Sequence, residues 1–424
     1  MSNFLYGIDF GTTNSALSIY NEDSGKIVDT IIVPSLLYFF SDQANSKPLN
    51  YVVGDLAIQA YVNDGMSGRF MKSIKRILPR SSFIETRIFN HRLNASDLVT
   101  LILKELKEKA DAITGIDCKK AVIGRPVFFD DDNATKDTLA QKRLNQAAQN
   151  AGFTEVRFQF EPIGAAFAYE RTLKIKEKVL VADLGGGTTD FTFLSLDPLR
   201  VGTQDRKSDI IATGGIYIGG DSFDSSFMWE KGTPYFGKNV QYEAAPGKML
   251  NVPNSLFSNI CSWEQMNFFN GQRIKNDLDN YYHYSKNDRL FKNLLTLTEN
   301  NLGYSVFQAI ERSKYELSKD DQTDFSYSKM GIEINETVSL EEYDRIIQKD
   351  LSKISKYLDH FLEHHQIQDT DIDTLFLTGG TSMVTAVRNL FASKFPEKPI
   401  QSGDNFISVA KGLAYSGYLF NDAN

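Results

Sequence analysis

Two periods of apolar residues run along this chain, one of two residues and one of three to four. The shorter period is clearest where the apolar run Val179-Leu180-Val181-Ala182 ends on Asp183, passes Gly185-Gly186-Gly187, and resumes as Thr189-Asp190-Phe191-Thr192-Phe193. A short run rich in β-branched residues predicts a buried strand, and the glycines permit a tight turn, so the segment reads as a β-hairpin. Its backbone N–H groups and the hydroxyls of Thr188 and Thr189 suit an anion, although a triple-glycine turn alone is also an ordinary hairpin. The chain opens with a second copy, Tyr6-Gly7-Ile8-Asp9-Phe10-Gly11-Thr12-Thr13-Asn14, followed by alternation from Ser15 to Tyr20. Asp9 matches Asp183, Gly11 matches Gly185, and Thr12-Thr13 match Thr188-Thr189. Such an internal repeat predicts two similar α/β halves facing each other across a cleft.

The longer period predicts helices. Leu98, Leu101, Ile102 and Leu106 recur at three and four, with Ser96 as the expected cap. A strand over Ala121–Gly124 runs on toward Pro126, and Asp130 to Asn133 make an acidic, solvated loop. A helix bearing Leu139, Leu144, Ala147 and Ala148 ends at Gly152, and a strand through Val156–Phe160 delivers Glu161-Pro162 and the small residues Gly164, Ala165, Ala166 and Ala168. Gly214-Gly215 and Gly219-Gly220-Asp221 read as a glycine-rich turn opening a helix, whose free N–H groups favour an anion. From Ser225 to Tyr304 few clear periods are visible. Periodicity returns through Val306, Ala309, Ile310 and Leu317, placing Glu311, Lys314 and Ser318 on one helical face. Ser339 and Glu342 form a capping box for a long helix, near whose end His360, His364 and His365 complement the C-terminal dipole. A strand over Thr374–Thr378 then meets Gly379-Gly380-Thr381-Ser382-Met383.

Composition narrows the classes. With 424 residues, 42% of them hydrophobic, the chain is long enough for two or more domains. A net charge of −8 argues against a nucleic-acid-binding face. The two cysteines, Cys118 and Cys261, lack metal-ligand spacing and read as reduced thiols. The longest apolar run, Ile31 to Phe40, contains Pro34 and is too short for a membrane span, which needs about 20 residues. No signal peptide is evident, so the expectation is a cytoplasmic protein without membrane or nucleic-acid partners.

The pair Asp-Phe-Gly-Thr-Thr-Asn-Ser and Asp-Leu-Gly-Gly-Gly-Thr-Thr-Asp resembles the two phosphate loops of the actin-like ATPase superfamily, specifically the 70-kDa heat-shock chaperones. The resemblance covers roughly residues 1–224 and 305–419. It implies an α/β, two-lobed actin-like ATPase fold, each lobe a mixed β-sheet flanked by helices, with the nucleotide in the central cleft. Residues 1–172 would form lobe I, 173–400 lobe II, and 401–424 a crossing helix returning to lobe I. The implied cofactors are ATP or ADP and Mg²⁺. Gly11, Thr12, Thr13, Asn14, Gly185, Gly186, Gly187 and Thr188 would grip phosphates, and Asp9 and Asp183 would hold a hydrated Mg²⁺. The segment Met71-Lys72-Ser73-Ile74-Lys75-Arg76 is similar to the family's catalytic-lysine segment, which puts Lys75 at the γ-phosphate. Out of that context, Lys72, Lys75 and Arg76 read as a solvated helical face, and the resemblance shifts Lys75 alone toward function. Glu161 inherits a place beside the attacking water, with Thr188 and Asp190 as helpers and Asp183 also in the catalytic set. Gly219, Gly220 and Asp221 would contact phosphate. Glu311, Lys314, Tyr315 and Ser318, with Gly379, Gly380, Thr381 and Met383, would hold the adenosine. Pro126 corresponds to the proline that links nucleotide state to lobe movement.

Three positions depart from the family pattern. Tyr315 and Met383 replace its adenine-stacking arginines, and Phe406 replaces an acid before the last crossing glycine. Family chaperones continue into an apolar acidic linker and a peptide-binding domain, whereas this sequence stops at Asn424. The expected function is therefore Mg-dependent ATP binding and slow hydrolysis in a chaperone-like protein lacking that domain. The alternatives are a catalytically weak nucleotide-binding interaction module, with 225–304 as a partner surface, or an actin-like filament protein.

Overall fold

The computed structural model describes residues 3–41, 48–64, 67–129, 134–203, 205–262, 265, 269, 271–286, 288–402 and 407–420. The acidic loop at Asp130 to Asn133 and the substitution at Phe406 lie outside the described residues. Strands β1 (Phe4–Asp9), β2 (Asn14–Asn21) and β3 (Lys26–Pro34) form an antiparallel meander. A small sheet of β4 (Leu37–Phe39), β5 (Tyr51–Val53) and β6 (Arg69–Met71) follows, then a hairpin of β7 (Thr86–Ile88) and β8 (His91–Leu93). Two further strands, β9 (Lys120–Arg125) and β10 (Glu155–Phe160), add in parallel beyond β1, so the sheet order is β10-β9-β1-β2-β3.

The same construction recurs. Strands β11 (Glu177–Leu184), β12 (Thr189–Leu196) and β13 (Ile210–Ile216) form the second meander. After the hairpins β14 (Gln241–Ala245) with β15 (Lys248–Asn251) and β16 (Gln322–Lys329) with β17 (Ile332–Ser339), strands β18 (Thr374–Thr378) and β19 (Ile400–Ser402) add in parallel beyond β11. The order is β13-β12-β11-β18-β19, the first sheet repeated strand for strand. The repeat read from two loops is thus a repeat of whole sheets, with Asp9 closing β1 and Asp183 near the end of β11.

The chain divides into two compact units. Residues 1–217, 357–382 and 391–424 contain both five-stranded sheets; residues 218–356 and 383–390 contain β14 to β17. Within the first unit, one core packs Tyr6, Ile8 and Leu17 against the helix Ala95–Thr114 through Leu98, Ile102 and Leu106. Another joins Leu5 and Val122 of the first sheet to Val179 and Val181 of the second through Ile163 and Ala166 of the helix Glu161–Glu170 and Leu413 of the helix Ser408–Ala414. These two helices press together through small residues: a Cβ on Gly412 would collide with the carbonyl of Gly164, and one on Gly164 would lie 3.2 Å from the Val409 carbonyl oxygen.

Three local expectations are corrected. The helix over 95–114 is capped by Asn94, not Ser96: Asn94 accepts from the Asp97 N–H while Asp97 accepts from the Asn94 N–H, and Ser96 is buried inside the helix. Gly214 and Gly215 lie within β13, whereas Gly219, Gly220 and Asp221 do open the helix Gly220–Phe227, with Gly219 at its cap. Within 225–304 the described residues include the helices Asn254–Ile260, Gln272–Tyr284 and Arg289–Glu299 besides β14 and β15. The last of these helices buries Phe291, Leu294 and Leu297 and is capped by Asp288, a three-residue period that the surrounding Asn and Lys residues obscure.

Candidate functional site

The strand ends of the first unit bring four carboxylates around one ammonium. The register pairs Asp183 with Asp190 across the second hairpin, so both acids flank the glycine turn. Lys75 sits in a 3₁₀ turn, Ile74–Ile77, and its Nζ donates to Glu161 Oε1 at 2.8 Å. Glu161 is the first residue of its helix, where the N-terminal dipole also favours an acid. Both partners are largely buried, with side-chain exposures of 17% and 9%.

The charges do not balance. Burial, reinforced by Glu161, pushes the Asp9 carboxyl up to about 8, with Lys75 opposing and Asp183 adding to the rise. Burial and Glu161 push Asp183 up to about 6. For Asp190, burial and the Asp183 charge raise the value to about 7, against a hydrogen bond of 2.9 Å from Thr188 Oγ1. The Asp190 side chain reaches solvent through a cavity. Burial disfavours the Lys75 charge, but Glu161, Asp9 and Asp183 outweigh it and hold the ammonium above its usual range. A surplus of carboxylate over ammonium at strand ends fits an added cation. Among the described residues no three His, Cys, Asp or Glu side chains are placed to cage a metal directly. Two aspartates acting through water fit Mg²⁺, which keeps several waters and takes few carboxylates.

The loops beside these acids are shaped for close approach. Gly185 N–H donates to the Thr188 carbonyl at 3.0 Å, and Thr381 Oγ1 donates to the Gly185 carbonyl at 2.8 Å. Gly379 adopts φ +83°, and a Cβ there would lie 2.8 Å from Asp183 Oδ1, so the turn Gly379-Gly380-Thr381 is packed onto the strand end. In the first hairpin, Ser35 Oγ donates to the Gly11 carbonyl at 2.8 Å and Ser35 N–H to the Thr13 carbonyl at 2.7 Å. Thr12, Lys75, Glu161, Thr188 and Asp190 line one open cavity of about 650 Å³, together with Pro126 and Tyr217. Gly186 lies in the same second loop, between Gly185 and Gly187, and Asn14 opens β2.

Arg76 is a residue that sequence reasoning left among the solvated bases. Its guanidinium lies against Gly187, where a Cβ would collide with Nη2, and it lines the same cavity. Its buried Nε has no hydrogen-bond partner among the described residues. An orphaned cationic donor beside the glycine turn is what an anion would satisfy. The available signal was its adjacency to Lys75.

In the second unit, Lys314 Nζ donates to Asp224 Oδ1 at 2.6 Å and feels the charges of Glu311 and Asp221. The helix starting at Gly220 and the helix Gly303–Leu317 therefore bring Asp221, Glu311 and Lys314 together. Tyr315 is 55% exposed, and Lys319 Nζ lies 3.9 Å from its ring centroid. Ser318 Oγ is engaged with the Tyr315 carbonyl at 2.6 Å. Met383 ends the turn Gly380–Met383 and is partly buried.

Two sheets of one order, each with an acid at the end of its first strand and a Gly/Thr turn beyond, define the class: an actin-like ATPase fold. A family model described as Hsp70 protein matches residues 68–231 and 288–422, and the chain belongs to the Hsp70 family. It is 28% identical to the chaperone protein DnaK of Thermosipho melanesiensis (strain DSM 12029 / CIP 104789 / BI429) over 97% of this chain, and it spans 58% of that relative's length. Among the described residues no helix is long and apolar enough to cross a membrane.

Proposed function

We propose that the chain binds ATP with Mg²⁺ and hydrolyses it slowly to ADP and phosphate in the service of a chaperone activity. The observation that carries this reading is the Lys75–Glu161 pair set among Asp9, Asp183 and Asp190 beside two Gly/Thr turns. Phosphoryl transfer to water needs a positioned phosphate, a metal and an oriented nucleophile more than covalent help. Thr12, Thr13, Asn14 and Gly185 to Gly187, with Gly219, Gly220 and Asp221, are assigned to the phosphates, and Asp9 and Asp183 to a hydrated Mg²⁺. Lys75 neutralises charge that develops on the γ-phosphate, while Glu161, Thr188 and Asp190 orient the water. Glu311, Lys314, Tyr315 and Ser318, with Gly379, Gly380, Thr381 and Met383, are assigned to the adenosine. The match to a protein described as a chaperone supports the wider role.

A nucleotide-binding interaction module is the second reading, favoured by the family model's leaving residues between 231 and 288 unmatched and by the lysine over the Tyr315 ring. Single-turnover assay of labelled ATP with excess protein separates the two. The ATPase reading expects Mg-dependent ADP formation, and tight ATP binding with no product over many hours would sink it.

A further inference from the structure

The segment that the Hsp70 family model leaves unmatched builds a cavity of its own. It is open, about 710 Å³, and lies wholly within the second unit. One wall is five consecutive hairpin residues, Tyr242 to Pro246; the other is the face of the helix Gln272–Tyr284 that carries Asp277, Asn280, Tyr281 and Tyr284. Tyr242 and Tyr281 meet edge to face with centroids 4.8 Å apart, an arrangement that leaves one ring's faces uncovered by the other. Tyr284 is 52% exposed beside them. Glu243 keeps one oxygen on the Gly247 N–H at 2.9 Å, which fixes its carboxylate at the hairpin. Asp277 has no hydrogen bond or ion pair among the described residues, and no lysine or arginine lines the cavity. Burial, then Tyr242 and Asp277, raise the Tyr281 hydroxyl above its usual range, which places both groups near it.

Two carboxylates and three tyrosine rings without a basic residue are the chemistry of a cation site, because ring faces and carboxylates both attract an ammonium or guanidinium. The three tyrosine rings, whose faces attract organic cations, favour an ammonium or guanidinium over a hydrated metal ion. The hairpin wall indicates a polypeptide as the source of the charge. Among the described residues strand β14 pairs only with β15, so its other edge offers backbone groups along which an incoming chain can lie. We propose that this cavity is a docking site for an arginine or lysine side chain of a protein partner, with the partner's backbone running along β14.

The test uses the full chain and a fluorescein-labelled peptide carrying one arginine among glycines and serines, with a twin in which neutral citrulline replaces the arginine. Anisotropy titration is expected to give at least tenfold tighter binding of the arginine peptide. Asp277→Asn, which conserves size, and Tyr284→Ala, at an exposed ring, are each expected to weaken that binding tenfold or more. Asp279→Asn makes the same charge change on the same helix away from the cavity and is expected to leave it unchanged. Equal binding of the two peptides, or equal weakening by Asp279→Asn and Asp277→Asn, overturns the proposal. Arginine methyl ester competing as strongly as the peptide overturns the polypeptide source.

Discussion

Among the described residues Lys75 is the one ammonium against Glu161, Asp9 and Asp183, so its removal acts on charge balance before it acts on packing. A group that neutralises charge arising in the transition state contributes little to ground-state binding. Lys75→Ala is therefore expected to bind ATP about as well as the parent while single-turnover hydrolysis falls roughly 10²–10³-fold. Unchanged turnover would remove Lys75 from the site. The aspartates make a second, pH-dependent prediction. With Asp9 pushed up to about 8 and Asp183 to about 6, the folded protein binds protons that the unfolded chain has released. The unliganded protein then loses stability as pH climbs from the ordinary aspartate range toward 8, because ionisation places like charges together. Mg²⁺ favours the ionised form, so affinity for Mg-ADP should rise between pH 6 and 8.5 and binding should release protons. Calorimetry in buffers of different ionisation heat measures that release, and no proton release at pH 7 would count against Asp9. At this scale the acids were legible because each ends an apolar run. Arg76 was not, because only the folded glycine turn shows what its guanidinium lies against.

Between elements, the helix crossing in the first unit depends on two residues without side chains. Gly412 meets the Gly164 carbonyl, and Gly7 of β1 is as close to the Ala414 backbone, so a Cβ at either position has no free space. Gly412→Val is expected to cost about 1–3 kcal/mol or more through overpacking. Gly115→Ala is the comparison: that glycine has φ +70° but open space around it, so its cost is only the backbone term, about 1 kcal/mol. Urea midpoints for the two variants should differ clearly, and coincident midpoints would show that the crossing yields to a side chain. The small residues Gly164, Ala165, Ala166 and Ala168 are the mark in the sequence of a helix that packs this closely. Asn94 was harder to read, because Ser96 also suits a cap and the choice falls to the reciprocal bond with Asp97. The helices of 225–304 were hidden because exposed Asn, Lys and Tyr outnumber the few buried positions, such as Leu278, that anchor each one.

For the molecule as a whole, the doubled sheet was legible because each copy begins with the same acid, glycine and threonine pattern, and a strand order follows from a repeat more surely than from any single strand. The ion pair that ties Lys314 to Asp224 was not, because the two residues lie far apart in sequence. The proposed function gives phosphates and metal to Asp9, Lys75 and Asp183 in the first unit and adenosine to Glu311 and Lys314 in the second, and this division is testable by linkage. A ligand at 100 times its Kd adds about 2.7 kcal/mol to stability. Mg-ATP is expected to raise the melting temperature of the parent more than Mg-tripolyphosphate does, since the latter lacks the nucleoside. Lys314→Ala leaves Asp224 without its partner and lowers the unliganded melting temperature by itself, so each variant is compared with its own unliganded state. In that variant the rise with Mg-ATP should shrink to the level of Mg-tripolyphosphate, whose own rise stays unchanged. In Asp183→Asn both rises should shrink together and lose most of their dependence on Mg²⁺. A Lys314→Ala protein that keeps the full ATP increment would detach the second unit's cluster from the nucleotide, whatever becomes of the first.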